Sequence, residues 1–320
     1  MEDRIRRAGR RAAHATGVDA RSIAALVGVQ SLFGLHYLAA KVIMQTIPPR
    51  PWALLRAGSA GLALMAFVAL RGGAPSLPRG FGAAARFFVL ALIGVAINQY
   101  LFVEGLSRTT PGHSALINTS MPVLVVLIAL VLGRERPTLP RIAGIATTLV
   151  GVLVLIGPYR IDWEAESFKG DVLTAVNALS YSLFLVVSKP TFERERTLPA
   201  TALLLFFGAL WLVPVGAPGL AALDFASIGA RTWLLAAFIV LGPTIGAYAL
   251  NTYALRRVDS SVVAFFIYLQ PVIGAGLSIF LGFERPTVRL ALAAAIVFCG
   301  VFVALRAPAV RAAPPLTPES

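Results

Sequence analysis

A few amides, phenols and one imidazole stand inside long apolar stretches of this 320-residue chain, and their spacing is helical. Gln30, Gly34, Tyr37 and Lys41 recur at i, i+4, i+7 and i+11, which sets them on one face of a helix. Thr244, Tyr248, Asn251 and Leu255 repeat that spacing, and Asn98, Gln99, Asn118, Asn177, Tyr181, Tyr268 and Gln270 complete a plausible ring at one level. Amides can bind the charged ends of an amino acid while aromatic rings embrace an apolar side chain. The competing reading is interhelical hydrogen bonding, worth about 0.6–2 kcal/mol per group in a membrane. Lys41 reads either as a carboxylate attractor at the outer mouth or as a side chain reaching for the interface. His36 is the deepest imidazole and the candidate for carrying a proton, with a satisfied core histidine as the rival reading. Glu104 and His113 fall nearer helix ends, where a solvated charge is ordinary. Pro122 and Pro271 each remove a helical hydrogen bond and predict kinks that shape a cavity or flex beside it.

No enzyme signature accompanies these groups. The chain has no HExxH, no P-loop, no Cys/His metal spacing and no carboxylate pair within an apolar run. The expectation is therefore no catalytic residues, no cofactor and no metal. A single cysteine, Cys299, excludes a disulfide within the chain.

The elements that must hold the polar ring follow from composition. Residues are 58% hydrophobic and 13% charged, and mean hydropathy is +0.80. A soluble domain carries about 25% charged residues, so a chain this poor in charge points to lipid. Ten apolar runs are long enough for transmembrane helices: 23–45, 53–70, 87–106, 112–132, 139–157, 171–188, 200–216, 232–255, 260–283 and 288–305. They are too long and continuous for β-barrel strands. The expected class is an all-α membrane protein of ten transmembrane helices. Net charge is +13, but the basic residues lie between the runs rather than on one soluble face, which argues against a nucleic-acid partner. Most of them fall on one side when the runs alternate, and that side includes the leader "MEDRIRRAGRRAAHATGVDAR". The excess marks the cytoplasmic side and puts both termini there. The first apolar run is too long, and lacks the small-residue pattern, for a cleaved signal peptide.

The chain also matches itself. "GRERPT" at 133–138 returns as "GFERPT" at 282–287, an offset of 149 that also aligns Leu106 with Leu255, Arg108 with Arg257, Pro122 with Pro271 and Gly151 with Gly300. Upstream the offset is 148, pairing Lys41 with Lys189 and Pro51 with Pro199. The expected organisation is a basic leader 1–22, a five-helix repeat 23–157, an external linker 158–170, a second repeat 171–305 and a Pro-rich tail 306–320. Five is odd, so the second copy enters the membrane from the opposite side and the repeats are inverted. Such repeats recur in secondary transporters, with the site near midplane between the halves. The two hexapeptides read as turn residues whose Glu135 and Glu284 favour the start of the following helix.

The stretch "GLSRTTPGHSALINTSMPVLVVLIALVLGRERPTLPRIAGIATTLVGVLVLIG" resembles the EamA-like branch of the drug/metabolite transporter superfamily. Its second-half counterpart, "ALRRVDSSVVAFFIYLQPVIGAGLSIFLGFERPTVRLALAAAIVFCGVFVAL", fits as well. Lys41 in "VGVQSLFGLHYLAAKVI" and Arg56 in "PPRPWALLRAG" match the family's first and second helices. The usual Gly-Glu carries an inserted residue here, Arg134 and Phe283 respectively, and Leu35-His36-Tyr37 stands where the family often shows an Asn and an aromatic. The resemblance implies ten helices, inverted repeats, and export or exchange of small metabolites such as amino acids. The expected partners are a small-molecule substrate and the lipid bilayer, with a homodimer left open, in a bacterial inner membrane. The alternatives are a lipid-intermediate flippase or a non-transporting membrane scaffold.

Overall fold

In hydrocarbon a backbone polar group has no water to bond, so long apolar segments close their hydrogen bonds within helices. The computed structural model describes residues 20–71, 81–132, 135–136, 138–156, 165–192, 197–247, 250, 266–267, 269–306 and 310–311. Among these, ten helical segments follow one another. They are α1 (Ala20–Ile43), α2 (Pro49–Leu70), α3 (residues 81–108), α4 (residues 111–131), α5 (Leu139–Ile156), α6 (Glu166–Phe192), α7 (Thr197–Ala221), α8 (residues 230–246), α9 (Leu269–Phe280) and α10 (Val288–Arg306). Six helices are long and apolar enough to cross a membrane, and α5, α8, α9 and α10 contribute shorter apolar helices. The two-residue segments Glu135–Arg136 and Val310–Arg311 pair antiparallel.

Two helices are interrupted by wider turns. In α3, a π-helical segment Leu92–Ile97 separates Phe81–Ala91 from Asn98–Arg108, and in α8 a π-helical segment Val240–Gly246 follows Ala230–Ile239. The offset of 149 carries residues 92–97 onto 241–246, so both halves widen at the same place. A π turn leaves a carbonyl free, and such turns gather at functional sites. Ser180 Oγ on α6 donates to the Ile93 carbonyl at 3.2 Å, and Thr244 Oγ1 donates to the Ile239 carbonyl within its own helix at 2.9 Å.

The prolines mark matching breaks. α4 is Pro111–Asn118, a two-residue turn, then Met121–Val131 with Pro122 in its first turn. The turn's hydroxyls bond back, Thr119 Oγ1 to Leu116 O at 2.5 Å and Ser120 Oγ to Ile117 O at 2.7 Å. Pro271 occupies the first turn of α9, after a turn at Ile267.

Packing joins the halves by interleaving them. The most extensive helix contacts are α2 with α7 and α5 with α10, each a helix against its own repeat mate. α6 lies on α3 and α4 of the first half, and α1 lies on α8 and α9 of the second. Each half therefore contributes its first helix to the other. Gly151 and Gly300, repeat mates, stand in the tight contact of α5 with α10. A Cβ on Gly300 would lie 2.8 Å from Gly144 O and 2.6 Å from Thr148 Oγ1, and one on Gly151 would lie 2.8 Å from Val297 N. Small residues allow such backbone approach in membrane bundles.

The α9–α10 connection corrects the reading of the hexapeptide. Gly282, at φ 76°, ends α9: Phe283 N donates to Ser278 O at 2.9 Å and Gly282 N to Ile279 O at 3.1 Å. That is a left-handed helix stop, which glycine adopts without strain. The cap of α10 is Thr287, whose Oγ1 accepts from Leu290 N at 3.1 Å. Glu284 does not cap α10. It reaches across to the first turn of α4, where Thr110 Oγ1 donates to its Oε1 at 2.9 Å. Glu135 follows the last turn of α4, so the two copies sit at opposite ends of that helix.

The end of α3 is held by Lys41. Its Nζ donates to the carbonyls of Leu106 (2.8 Å), Ser107 (2.8 Å) and Thr109 (2.7 Å). Those carbonyls are unpaired at a helix C-terminus and a cation there is favoured. Replacing Lys41 with Met should lower stability by about 1–3 kcal/mol, the cost of orphaning buried acceptors. Gly300→Val should lose about as much through overpacking. In contrast Gly276→Ala, with open space at its Cβ, should leave the thermal unfolding midpoint in detergent unchanged.

Candidate functional site

One helical turn after another, α1 presents polar groups to both halves. Gln30 is 2% exposed, and Gln270 Nε2 on α9 donates to its Oε1 at 2.6 Å. Gly34 lies against Ile273 and Gln270 of α9, with no room for a side chain. Tyr37 Oη accepts from Asn118 Nδ2 at 3.0 Å, at the point where α4 breaks before Pro122. The break and the amide belong together, since a proline at 122 cannot donate to the carbonyl of residue 118.

Beside this pair the rings of His36, Tyr37 and Phe102 cluster. His36 stacks on Phe102 at 5.1 Å between centroids, and Tyr37 tilts against Phe102 at 5.7 Å. Phe102 comes from α3, one turn beyond Gln99. Gln99 Oε1 in turn accepts from Arg56 Nη1 at 3.0 Å. Arg56 is 7% exposed, lies well inside α2 and has no acidic partner among the described residues. Three buried polar atoms at this level lack a hydrogen-bond partner: Arg56 Nε, His36 Nε2 and Asn118 Oδ1. A buried cation answered only by an amide is a strong anion receptor, because a guanidinium presents a planar fork of donors.

The structure thus joins Gln30 to Gln270 and Tyr37 to Asn118, and links Gln99 to Arg56. Other expected members lie elsewhere. Asn177 Nδ2 donates to the Asn98 backbone carbonyl at 2.7 Å, binding α6 to α3, and Tyr181 packs beside Phe184 at 5.8 Å on the same side. Lys41 has all three N–H groups on carbonyls and none left for a substrate carboxylate. Tyr248, Asn251 and Tyr268 lie outside the described residues. Arg56 and Phe102 were absent from the expected ring. The signal for Arg56 was a lone arginine inside an apolar run, and Phe102 offered none among 19 phenylalanines.

A charged layer closes the end where α3 stops and α4 and α6 start. Glu104, 5% exposed, receives Arg50 Nε at 2.8 Å and is paired with Arg108. Arg108 Nε also meets Glu166 at 3.1 Å. Next to them Asp171 accepts from Thr109 and contacts His113, and His113 faces Glu284. The solvated ends expected of Glu104 and His113 are instead an interlocked set.

The profile of the EamA-like transporter family matches residues 21–157 and again residues 168–306. An uncharacterized transporter of Archaeoglobus fulgidus is 24% identical over 217 residues, covering 67% of this chain and 74% of that relative. The aromatic amino acid exporter YddG of Ancylobacter novellus is 26% identical over 220 residues, covering 64% of this chain and 71% of that relative. A solved crystal structure of a protein aligns with TM-score 0.58 and 25% identity, over 89% of this chain and 97% of that one. With both halves matched by one family and the fold shared with a solved structure, the chain belongs to the EamA-like transporter family.

Proposed function

We propose that the chain is a secondary transporter of the inner membrane that exports small carboxylate-bearing metabolites, amino acids with an apolar side chain foremost, by alternating access. Its ten spans form two inverted five-helix halves, residues 23–157 and 171–305, with both termini in the cytoplasm. The interleaving of α1 and α6 and the opposite placement of the two hexapeptides support the inversion. Exchange of roles between two such halves is the physical basis of alternating access.

The observation that carries the substrate class is Arg56. A charge inside a membrane bundle is expensive and marks a functional site by default, and this one has an amide for company where a carboxylate would complete it. The adjoining rings of His36, Tyr37 and Phe102 supply an apolar and aromatic wall, while Asn118 Oδ1 can accept from an ammonium. These are the two ends and the side chain of an aromatic or aliphatic amino acid. The relative named as an aromatic amino acid exporter agrees with that chemistry.

Proteoliposomes loaded with a labelled amino-acid panel test this directly. Initial efflux of at least one aromatic or large aliphatic member should exceed that of protein-free vesicles, and no acceleration across the panel would sink the proposal. Arg56→Gln in a monodisperse preparation should slow that efflux about 10–100-fold, the equivalent of one charge-assisted pair at about 1.5–3 kcal/mol. Arg56→Lys should fall between, because an ammonium keeps the charge and loses the fork.

A further inference from the structure

The proposed substrate site leaves unused a second set of titratable groups. Where α4 begins, His113 stands between two carboxylates from other elements. Its Nδ1 is 2.9 Å from Asp171 Oδ2 on α6, and its Nε2 is 3.5 Å from Glu284 Oε1 in the α9–α10 connection. The side chains of Asp171 and Glu284 are only 2% and 5% exposed. Thr109 donates to the other oxygen of Asp171, and Thr110 donates to Glu284 Oε1. Glu284 Oε2 is buried without a partner and lies over Gly112, where any Cβ would collide with it. The notch left by that glycine is what admits the carboxylate.

The surrounding charges are engaged with one another. Lys41 on α1 is bound to three carbonyls, Arg50 on α2 and Arg108 on α3 hold Glu104, Arg108 also meets Glu166 of α6, and Arg289 of α10 donates to the Leu155 carbonyl of α5. None of these cations is paired with Asp171 or Glu284 among the described residues. His113 is therefore the group that decides how those two carboxylates coexist.

An imidazolium has two N–H donors and a neutral imidazole has one. With a proton bound, His113 donates from Nδ1 to Asp171, pairs by charge with Glu284 across 3.5 Å, and ties α4, α6 and the α9–α10 connection together. Without it, the shorter contact to Asp171 keeps the remaining N–H. Glu284 is then left with Thr110 alone, facing the Asp171 charge in a buried setting, where like charges cannot both stay ionised cheaply. We propose that Asp171, His113 and Glu284 form a proton-binding site whose occupancy latches this end of the bundle shut. Proton bound, the second half is held on the first turn of α4; proton lost, Glu284 is released and this end opens. Among the described residues no such set stands at the opposite end. The repeat mates of Thr110, His113 and Glu284 are Asp259, Val262 and Glu135, and that of Asp171 is Ile23, so the imidazole is not repeated. In an exporter such a latch would make the opening of this end depend on release of the bound proton. The purpose of the latch rests on the transporter reading; its test does not.

Spin labels at Thr46→Cys and Arg285→Cys, both exposed positions at this end, in a Cys299→Ala protein reconstituted in nanodiscs, report the gap directly. The short-distance population should dominate in acidic buffer and give way to a longer one in alkaline buffer. Near the transition the closed-to-open ratio should fall by up to about tenfold per pH unit, the limit for one linked proton. His113→Gln and Glu284→Gln should each abolish the response. A distribution that does not move with pH, or a response that survives in either folded variant, overturns the latch; should one variant fail to fold, the other decides. Distances need no solute, so absence of amino-acid efflux with an intact pH response would sink the transport reading and spare this one.

Discussion

Polar groups in this bundle have to find partners inside it, because lipid offers none. That single requirement explains features that otherwise look unrelated. It is why Lys41, though charged, folds back onto three carbonyls at the end of α3. It is why the hydroxyls of Thr119 and Ser120 close the turn at the break in α4, and why Ser180 answers a carbonyl exposed by the π turn of α3. It also makes the exceptions informative. Arg56, with one amide partner, and Glu284, with one oxygen unanswered, are two charged groups among the described residues that the bundle has not fully satisfied.

The two exceptions lie at different levels and suit different tasks. Arg56 of α2 is bonded to Gln99 of α3, one turn from the cluster of His36, Tyr37 and Phe102 that ties α3 to α1, and α1 also packs on the other half. Glu284 sits where the second half touches the first turn of α4. A bundle in which each half lends its first helix to the other cannot move one half without disturbing both places. The paired π turns and paired proline breaks give the matching helices the same weak points, in register with the repeat.

Much of the architecture was legible in the residues alone. Each of the ten apolar runs holds a helical segment among the described residues, six of them long enough to cross a membrane, because hydrocarbon leaves a long apolar stretch little choice but a helix. The self-match at 149 foretold which helices are mates, and Gly151 and Gly300 each sit in the α5–α10 contact, facing Val297 and Thr148 respectively. The ring of amides and phenols was visible as a set. Its internal pairing was not, since Gln30 with Gln270 and Tyr37 with Asn118 join residues 240 and 81 positions apart. Helical periodicity says which face a residue occupies and nothing about the partner across the gap.

What the sequence by itself determined is therefore the helical class, the repeat and the inventory of polar residues within it, since each follows from local composition and spacing. Only the tertiary structure decided which of those residues face one another. It put Lys41 into a helix cap, bonded Arg56 to Gln99, and moved Glu284 from its neighbouring helix to α4, 174 positions upstream. Electrostatic and hydrogen-bonding partners are chosen by distance in space, and in a bundle of interleaved repeats that distance is set by helix packing, with glycines such as Gly34 and Gly112 making room beside the groups that meet.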